Sequence, residues 1–355
     1  MTELWNRYGS TAARKHARPG RTARPRSTTI DIHSHVAIPA AAALVKPHLD
    51  PASIPLTHFA DAATKALNQK QDEDIRARIT AYDERLADMD AMGLDMQIVL
   101  PAPNQCTYTV PVEIAVKAAR MINEGLAEYV AKRADRFVAL GTVPLNDAAE
   151  AAKELERAMS TLGMKGAEIL TNVAGRELSD PALSHFWKKA EELGALVVIH
   201  PNGFTEARRL SRFYFNNVIG NPLDTTIALH YLIFDGVLER HPDLKVLAVH
   251  GGGYLPAYSG RIDHAWGARS DARADLPHPP TSYLKNIYVD TVVFTPYQLA
   301  ELVRLLGADH VVMGTDYPFD MAELDPIGHL ASVEGLDASA LAAIAGGNAR
   351  RLLGI

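Results

Sequence analysis

Eight short apolar runs, each separated from the next by a stretch of helical length and pattern, restrict this chain to a parallel α/β architecture. They cover residues 29–35, 96–100, 137–143, 165–171, 196–200, 245–250, 286–291 and 311–315. Several, such as Leu244-Lys-Val-Leu-Ala-Val249, are apolar at almost every position, as strands covered on both faces must be. Between them lie helical patterns. In residues 147–162 the positions Ala148, Ala151, Ala152, Leu155, Met159 and Leu162 share one face at 3.6-residue spacing. Another helix is expected from near Ala81, and a last one over residues 337–353 closes the ring. Residues 36–80 are poorly patterned, rich in proline and too long for a simple turn, which predicts a lid-like insertion after the first strand. The 355 residues suit one large domain of this kind. An open doubly wound sheet gives the same alternation, so the residues at the strand ends have to decide between the two.

Those ends carry chemistry. The first run finishes Ile30-Asp-Ile-His-Ser-His35, and side chains at i and i+2 of a strand point the same way, so His33 and His35 both face a barrel interior. The fifth run ends in His200, the sixth in His250 followed by Gly251-Gly-Gly253, and the eighth runs into Asp316. In a (β/α)₈ TIM-type barrel all strand C-termini emerge at one rim, so four separated segments converge there. Imidazoles with one carboxylate suit Zn²⁺ with a position left for water, although Mn²⁺ and Co²⁺ bind similar donors. Such a water ionises near neutral pH. With His33, His35, His200 and Asp316 on the metal, His250 is free to act as general base or to orient the water, and Asp316 to shuttle a proton. The glycines after His250 let a substrate approach the backbone. Some barrels bridge two metals with a lysine at the end of the fourth strand. Here that end reads Glu168-Ile-Leu-Thr-Asn172, which predicts a single metal.

Other chemistries are excluded by what is missing. There is no G-x-S-x-G elbow, no H-E-x-x-H and no P-loop, and Gly251-Gly-Gly-Tyr-Leu-Pro256 puts proline where a dinucleotide fingerprint needs glycine. The only cysteine, Cys106, rules out an internal disulfide and fits a reducing cytoplasm. No apolar run is long enough to cross a bilayer. Net charge is −6, unevenly spread: residues 1–28 hold seven basic groups against Glu3 alone. The chain therefore divides into a basic arm (1–28), read as a solvated or subunit-packing tail, and an acidic barrel (29–355) unsuited to nucleic acid.

The chain resembles the decarboxylase branch of the amidohydrolase superfamily, typified by 2-amino-3-carboxymuconate-6-semialdehyde decarboxylases. The resemblance runs from Ile30 to the C-terminus. It rests on the His33-Ser-His35 strand, Arg85 through Met89-Asp90, Phe137-Val-Ala-Leu-Gly-Thr142 and Asn221-Pro-Leu-Asp-Thr-Thr226. It continues in Val249-His-Gly-Gly-Gly253, Gly260-Arg-Ile262 and Gly314-Thr-Asp-Tyr-Pro-Phe319. It implies a one-zinc barrel with His33, His35, His200 and Asp316 as ligands and His250 beside the metal-bound water. It also implies that Arg85 and Arg261 hold substrate carboxylates, Arg261 reaching into the neighbouring subunit of a homodimer or higher homo-oligomer. By position alone, Arg85 pairs with Asp88 or Glu84 on a helix surface. The expected activity is non-oxidative decarboxylation of a small carboxylated aromatic or ring-cleavage product. A hydrolase or hydratase using the same water, and a non-catalytic zinc-containing binding protein, are the alternatives.

Overall fold

A computed structural model describes residues 24–355. The basic arm lies outside the described residues except at its end, where Arg24 pairs with Asp95. All eight expected strands form: β1 (Ile30–Val36), β2 (Met96–Pro101), β3 (Phe137–Ala139, resuming as Gly141–Thr142), β4 (Gly166–Leu170), β5 (Leu196–His200), β6 (Lys245–Ala248), β7 (Ile287–Asp290) and β8 (Val311–Val312). Every pairing between neighbours is parallel. The interrupted strand β3 joins β2 on one side and β4 on the other, and Leu140 N donates to Val99 O at the break. Strand β8 and the residues after it meet β1 through Ile32 N to Met313 O (2.9 Å), Asp316 N to His33 O and His35 N to Tyr317 O (both 2.8 Å). The sheet is therefore a closed barrel, not an open one.

Two apolar layers follow from the closure. Ile30, Ile32, Ile98, Leu100, Leu140, Leu196, Val198, Leu247 and Val312 fill the interior, and Ala349, Leu352 and Leu353 of the C-terminal helix (Asn348–Leu353) pack against them. Val99, Val197, Ile199, Val246, Val289 and Val311 point the other way, into the ring of helices. The helix expected over 147–162 forms as Ala148–Ser160, capped by the Asp147 carboxylate on Ala149 N and Glu150 N. Among the described residues, no helix is long and apolar enough to cross a membrane.

Strand β1 is irregular where it matters. Its pairing with β2 steps from Asp31 to Ser34 while β2 steps only from Gln97 to Val99, so β1 contains a bulge of one residue. Strict alternation would put Ile32 and His33 on opposite faces. The bulge lets both face inward, Ile32 in the apolar interior and His33 at the mouth above it.

The stretch over residues 36–80 is helical rather than irregular, with Pro39–Val45, Pro55–His58 and a long helix Ala62–Thr80. The long helix buries only Thr64, so no apolar stripe marks it in the sequence. Asp61 caps it, and Asp61 N donates to Ser211 O in the loop after β5. This segment and the loops after β2, β4 and β5 surround a cavity of about 950 Å³ reaching Phe319, whose ring lies 5.1 Å from that of His35.

Candidate metal centre

Three imidazoles converge on one carboxylate oxygen. Asp316 Oδ1 lies 3.3 Å from His33 Nε2, 3.1 Å from His35 Nε2 and 3.9 Å from His200 Nε2, and the first two nitrogens are 3.0 Å apart. His250 stands on the other oxygen, its Nε2 3.3 Å from Asp316 Oδ2. His33, His200, His250 and Asp316 each offer one ligand atom, all within 4.8 Å of one another, and His35 Nε2 adjoins the same centre. The structure thus brings together all five of the strand-end residues singled out in the sequence.

The outer nitrogen of each converging ring is committed. His33 Nδ1 lies 2.7 Å from Asp290 Oδ2, His35 Nδ1 donates to Pro101 O (2.9 Å), and His200 Nδ1 donates to Pro201 O (2.7 Å). A carbonyl or carboxylate only accepts, so each Nδ1 carries the proton and each Nε2 presents a lone pair to the centre. This second layer of bonds is what metal-binding histidines require. His200 Nε2 is buried without a hydrogen-bond partner, an orphan that a cation would satisfy.

The field of the site favours a cation. Burial would raise the Asp316 carboxyl, but the adjacent imidazoles of His33, His200 and His250 hold it well below the usual carboxylate range. Burial pushes His200 down to about 3 and lowers His35 as well, leaving both neutral and able to ligate. Burial would also lower His33, yet Asp316 and Asp290 together raise it well above an ordinary histidine. The two carboxylates on either side of His33 supply negative charge that a divalent ion would balance. Three imidazoles and one carboxylate therefore fit a single metal.

Backbone strain sits on the two residues that share Asp316 Oδ2. His250 and Asp316 have φ of 54° and 62°, in the left-handed region that non-glycine residues seldom occupy outside functional sites. Gly251, Gly252 and Gly253 continue the left-handed turn, and a Cβ on Gly253 would meet Pro222 O at 2.3 Å. These glycines are thus required by the turn and its packing, which accounts for them without a substrate approaching their backbone.

Arg85 is not on a helix surface. It is completely buried under β1, where its guanidinium donates to His35 O, Gln97 Oε1 (3.0 Å) and Ser34 Oγ (3.4 Å) and lies over the Tyr317 ring. Those contacts brace the ligand-bearing strand; Arg85 does not line the cavity, and its Nε has no hydrogen-bond partner. Nor does it pair with Asp88, which accepts from Tyr317 Oη (2.6 Å). The long basic side chains that do line the cavity are Lys46 and Arg76, both within residues 36–80. Arg261 is exposed on the helix Leu255–Ala268 and does not line the cavity.

Several site residues escaped the sequence reading. Asp290 ends a strand just as the others do, so the same strand-end rule would have found it. Glu168 is buried on the fourth strand, with Oε2 3.7 Å from His35 Nδ1. Cys106 lies between Thr142 and Glu168, and burial pushes its thiol well up, disfavouring the thiolate. The Asn221–Thr226 motif ties the rim together: Asn221 Oδ1 accepts from Gly203 N, Asp224 from Thr171 and Asn172, and Thr226 Oγ1 from Tyr254 N.

Comparison with known proteins gives this geometry a setting. The amidohydrolase family model matches residues 30–355. A 2-amino-3-carboxymuconate-6-semialdehyde decarboxylase from Dictyostelium discoideum is 32% identical over 332 residues, covering 93% of this chain and 92% of the relative. Among solved structures, 5-carboxyvanillate decarboxylase from Sphingomonas paucimobilis superposes with a TM-score of 0.81 at 25% identity, over 92% of this chain and 99% of that one. A dihydroxybenzoic acid decarboxylase from Polaromonas sp. JS666, with bound manganese and the inhibitor 2-nitroresorcinol, shares the fold at a TM-score of 0.78 and 23% identity, over 92% and 97%. With a closed (β/α)₈ barrel and a match spanning nearly its whole length, this chain belongs to the amidohydrolase family.

Proposed function

We propose that the protein is a metal-dependent, non-oxidative decarboxylase of a small carboxylated aromatic or ring-cleavage acid. The observation that carries this reading is the division of Asp316, with Oδ1 facing three ligand imidazoles and Oδ2 facing His250. We assign His33, His35, His200 and Asp316 as ligands of one zinc ion, since three imidazoles and a carboxylate are a common zinc set. Elemental analysis of purified protein tests zinc against manganese. When bound, the ion would supply a Lewis-acidic centre that orients the substrate's carboxylate and the polar group beside it.

The chain's own residues do the rest. His250 and Asp316 Oδ2 lie within proton-transfer reach of each other and hold the proton that must arrive at the carbon bearing the carboxylate. Once that carbon is protonated, the bond to the carboxyl carbon breaks, its electrons restore the conjugated system, and CO₂ departs. The insertion over residues 37–80 acts as a lid that keeps bulk water from the cavity. We further propose a cytoplasmic homodimer in which Arg261, exposed beside the 66% exposed Tyr258, serves the partner's site. Solution mass, together with a raised KM in Arg261→Ala, tests that assignment.

The deciding experiment is CO₂ release by the zinc-loaded protein against ortho-hydroxybenzoates and carboxymuconate-type acids. Release that disappears in His33→Ala supports the reading. Turnover with incorporation of water and no CO₂ would overturn it in favour of a hydrolase or hydratase at the same centre.

A further inference from the structure

Asp290 makes more contacts with the site than a supporting carboxylate needs. It is fully buried at the end of β7. Its Oδ2 holds His33 Nδ1 at 2.7 Å, while its Oδ1 accepts from Gly251 N (2.9 Å) and Val292 N (3.1 Å). Gly251 follows His250 in the left-handed turn, so the bond to Gly251 N fixes the peptide on which His250 stands. One rigid group therefore touches a metal-facing imidazole and the support of the proton-handling imidazole. The approach is enforced from below: a Cβ on Gly314 would stand 3.0 Å from His33 Cβ and 3.1 Å from Asp290 Cβ, so glycine there lets the two side chains meet.

We propose that Asp290 is a positioning residue that couples the metal pole of the site to His250, setting the His33 tautomer with one oxygen and the His250 turn with the other. The proposal rests on the metal centre assigned above. Its logic is that of acceptors. Asp290 receives three N–H groups and offers only acceptors, whereas asparagine has one acceptor oxygen and one donor nitrogen. If the Asn oxygen keeps the two backbone amides, its NH₂ confronts His33 Nδ1 and drives the imidazole proton to Nε2, the atom that must face the metal. If the amide flips, NH₂ confronts Gly251 N–H and the His250 turn is displaced.

The test is competition of Zn²⁺ between a chromophoric chelator and Asp290→Asn, with circular dichroism as the check on folding. Loss of this second-layer bond is expected to weaken metal binding about 10–100-fold at an unchanged fold. Affinity equal to that of the parent would overturn the proposal. His33→Ala separates the two levels: if it binds zinc as tightly as the parent, the metal centre itself is wrong. If it loses zinc while Asp290→Asn does not, only the role of Asp290 fails. Histidine side-chain nitrogen-15 spectra of the zinc-loaded proteins read the coupling, since Asp290→Asn should move the His33 and His250 signals together. Movement of His33 alone refutes the link. Should Asp290→Asn not fold, Gly314→Ala wedges the pair apart with both side chains intact. It should weaken zinc binding in the same direction, and unchanged affinity there would equally overturn the proposal.

Discussion

Replacing Arg85 by methionine separates a brace from an anchor. The variant keeps an apolar stem but leaves two buried acceptors, His35 O and Gln97 Oε1, without their donor. An orphaned buried acceptor costs about 1–3 kcal/mol, so the two together cost about 2–6 kcal/mol. Burial of the guanidinium charge is relieved in the same step, which offsets part of that loss, and we take a net cost of about 3 kcal/mol. For the roughly 330 described residues the entropy of unfolding is ~0.7 kcal/mol per kelvin, so Tm should fall by ~4 °C. Thermal melts of metal-loaded protein at fixed metal concentration measure this directly. Zinc affinity should fall as well, because the lost bond is to the carbonyl of His35 itself. A variant whose Tm stays within ~1 °C of the parent, and whose only defect is a raised KM, would refute the reasoning and restore Arg85 as a substrate anchor.

His250→Ala should retain zinc by elemental analysis while losing turnover by about 10²–10⁴-fold, as expected for a group that handles a proton; loss of zinc instead would make His250 a ligand. Chelation should lower Tm reversibly, since a metal present at about 100 times its Kd contributes about 2.7 kcal/mol to the folded state; a melt indifferent to chelator would count against a bound ion. Asp224 sets a pH limb of its own, because burial raises its carboxyl to about 6 against the pull of Thr171 and Asn172. A folded-state value above the unfolded one gives stability that is fully present below about pH 4 and lost as pH rises through 6, at most ~3 kcal/mol. Denaturation between pH 4 and 7 should show that limb shrinking in Asp224→Asn.

The eight parallel strands were legible because they are apolar on both faces, and their closure into a barrel because chemistry-bearing residues recur at their ends. What failed to show has physical causes. The helix Ala62–Thr80 lies over the cavity yet buries almost nothing, so its sequence carries no periodic apolar signal. Arg85 misled in the opposite direction. It shares the buried face of the helix Asp83–Met92 with Met89 and Met92, at i, i+4 and i+7, and the spacing marks it as an inward residue whatever its charge. The roles of Asp290 and of Asn221–Thr226 depend on contacts across the barrel, between residues dozens to hundreds of positions apart, which no local pattern encodes.

The bulge in β1 makes the site sensitive to chain length rather than to composition. Period-two alternation cannot place Ile32 in the core and His33 at the mouth, so one surplus residue between Asp31 and Ser34 reconciles a packed interior with a pair of imidazoles above it. Conservative exchange of Ile32 leaves that count unchanged and should be tolerated. Deleting Ile32 or His33 would restore a regular ladder in which Ile30, the surviving residue and His35 all face inward, so the chain would lose either a core side chain or a metal-facing imidazole. A descendant of this chain could thus keep its barrel and lose a metal-facing imidazole through one missing codon.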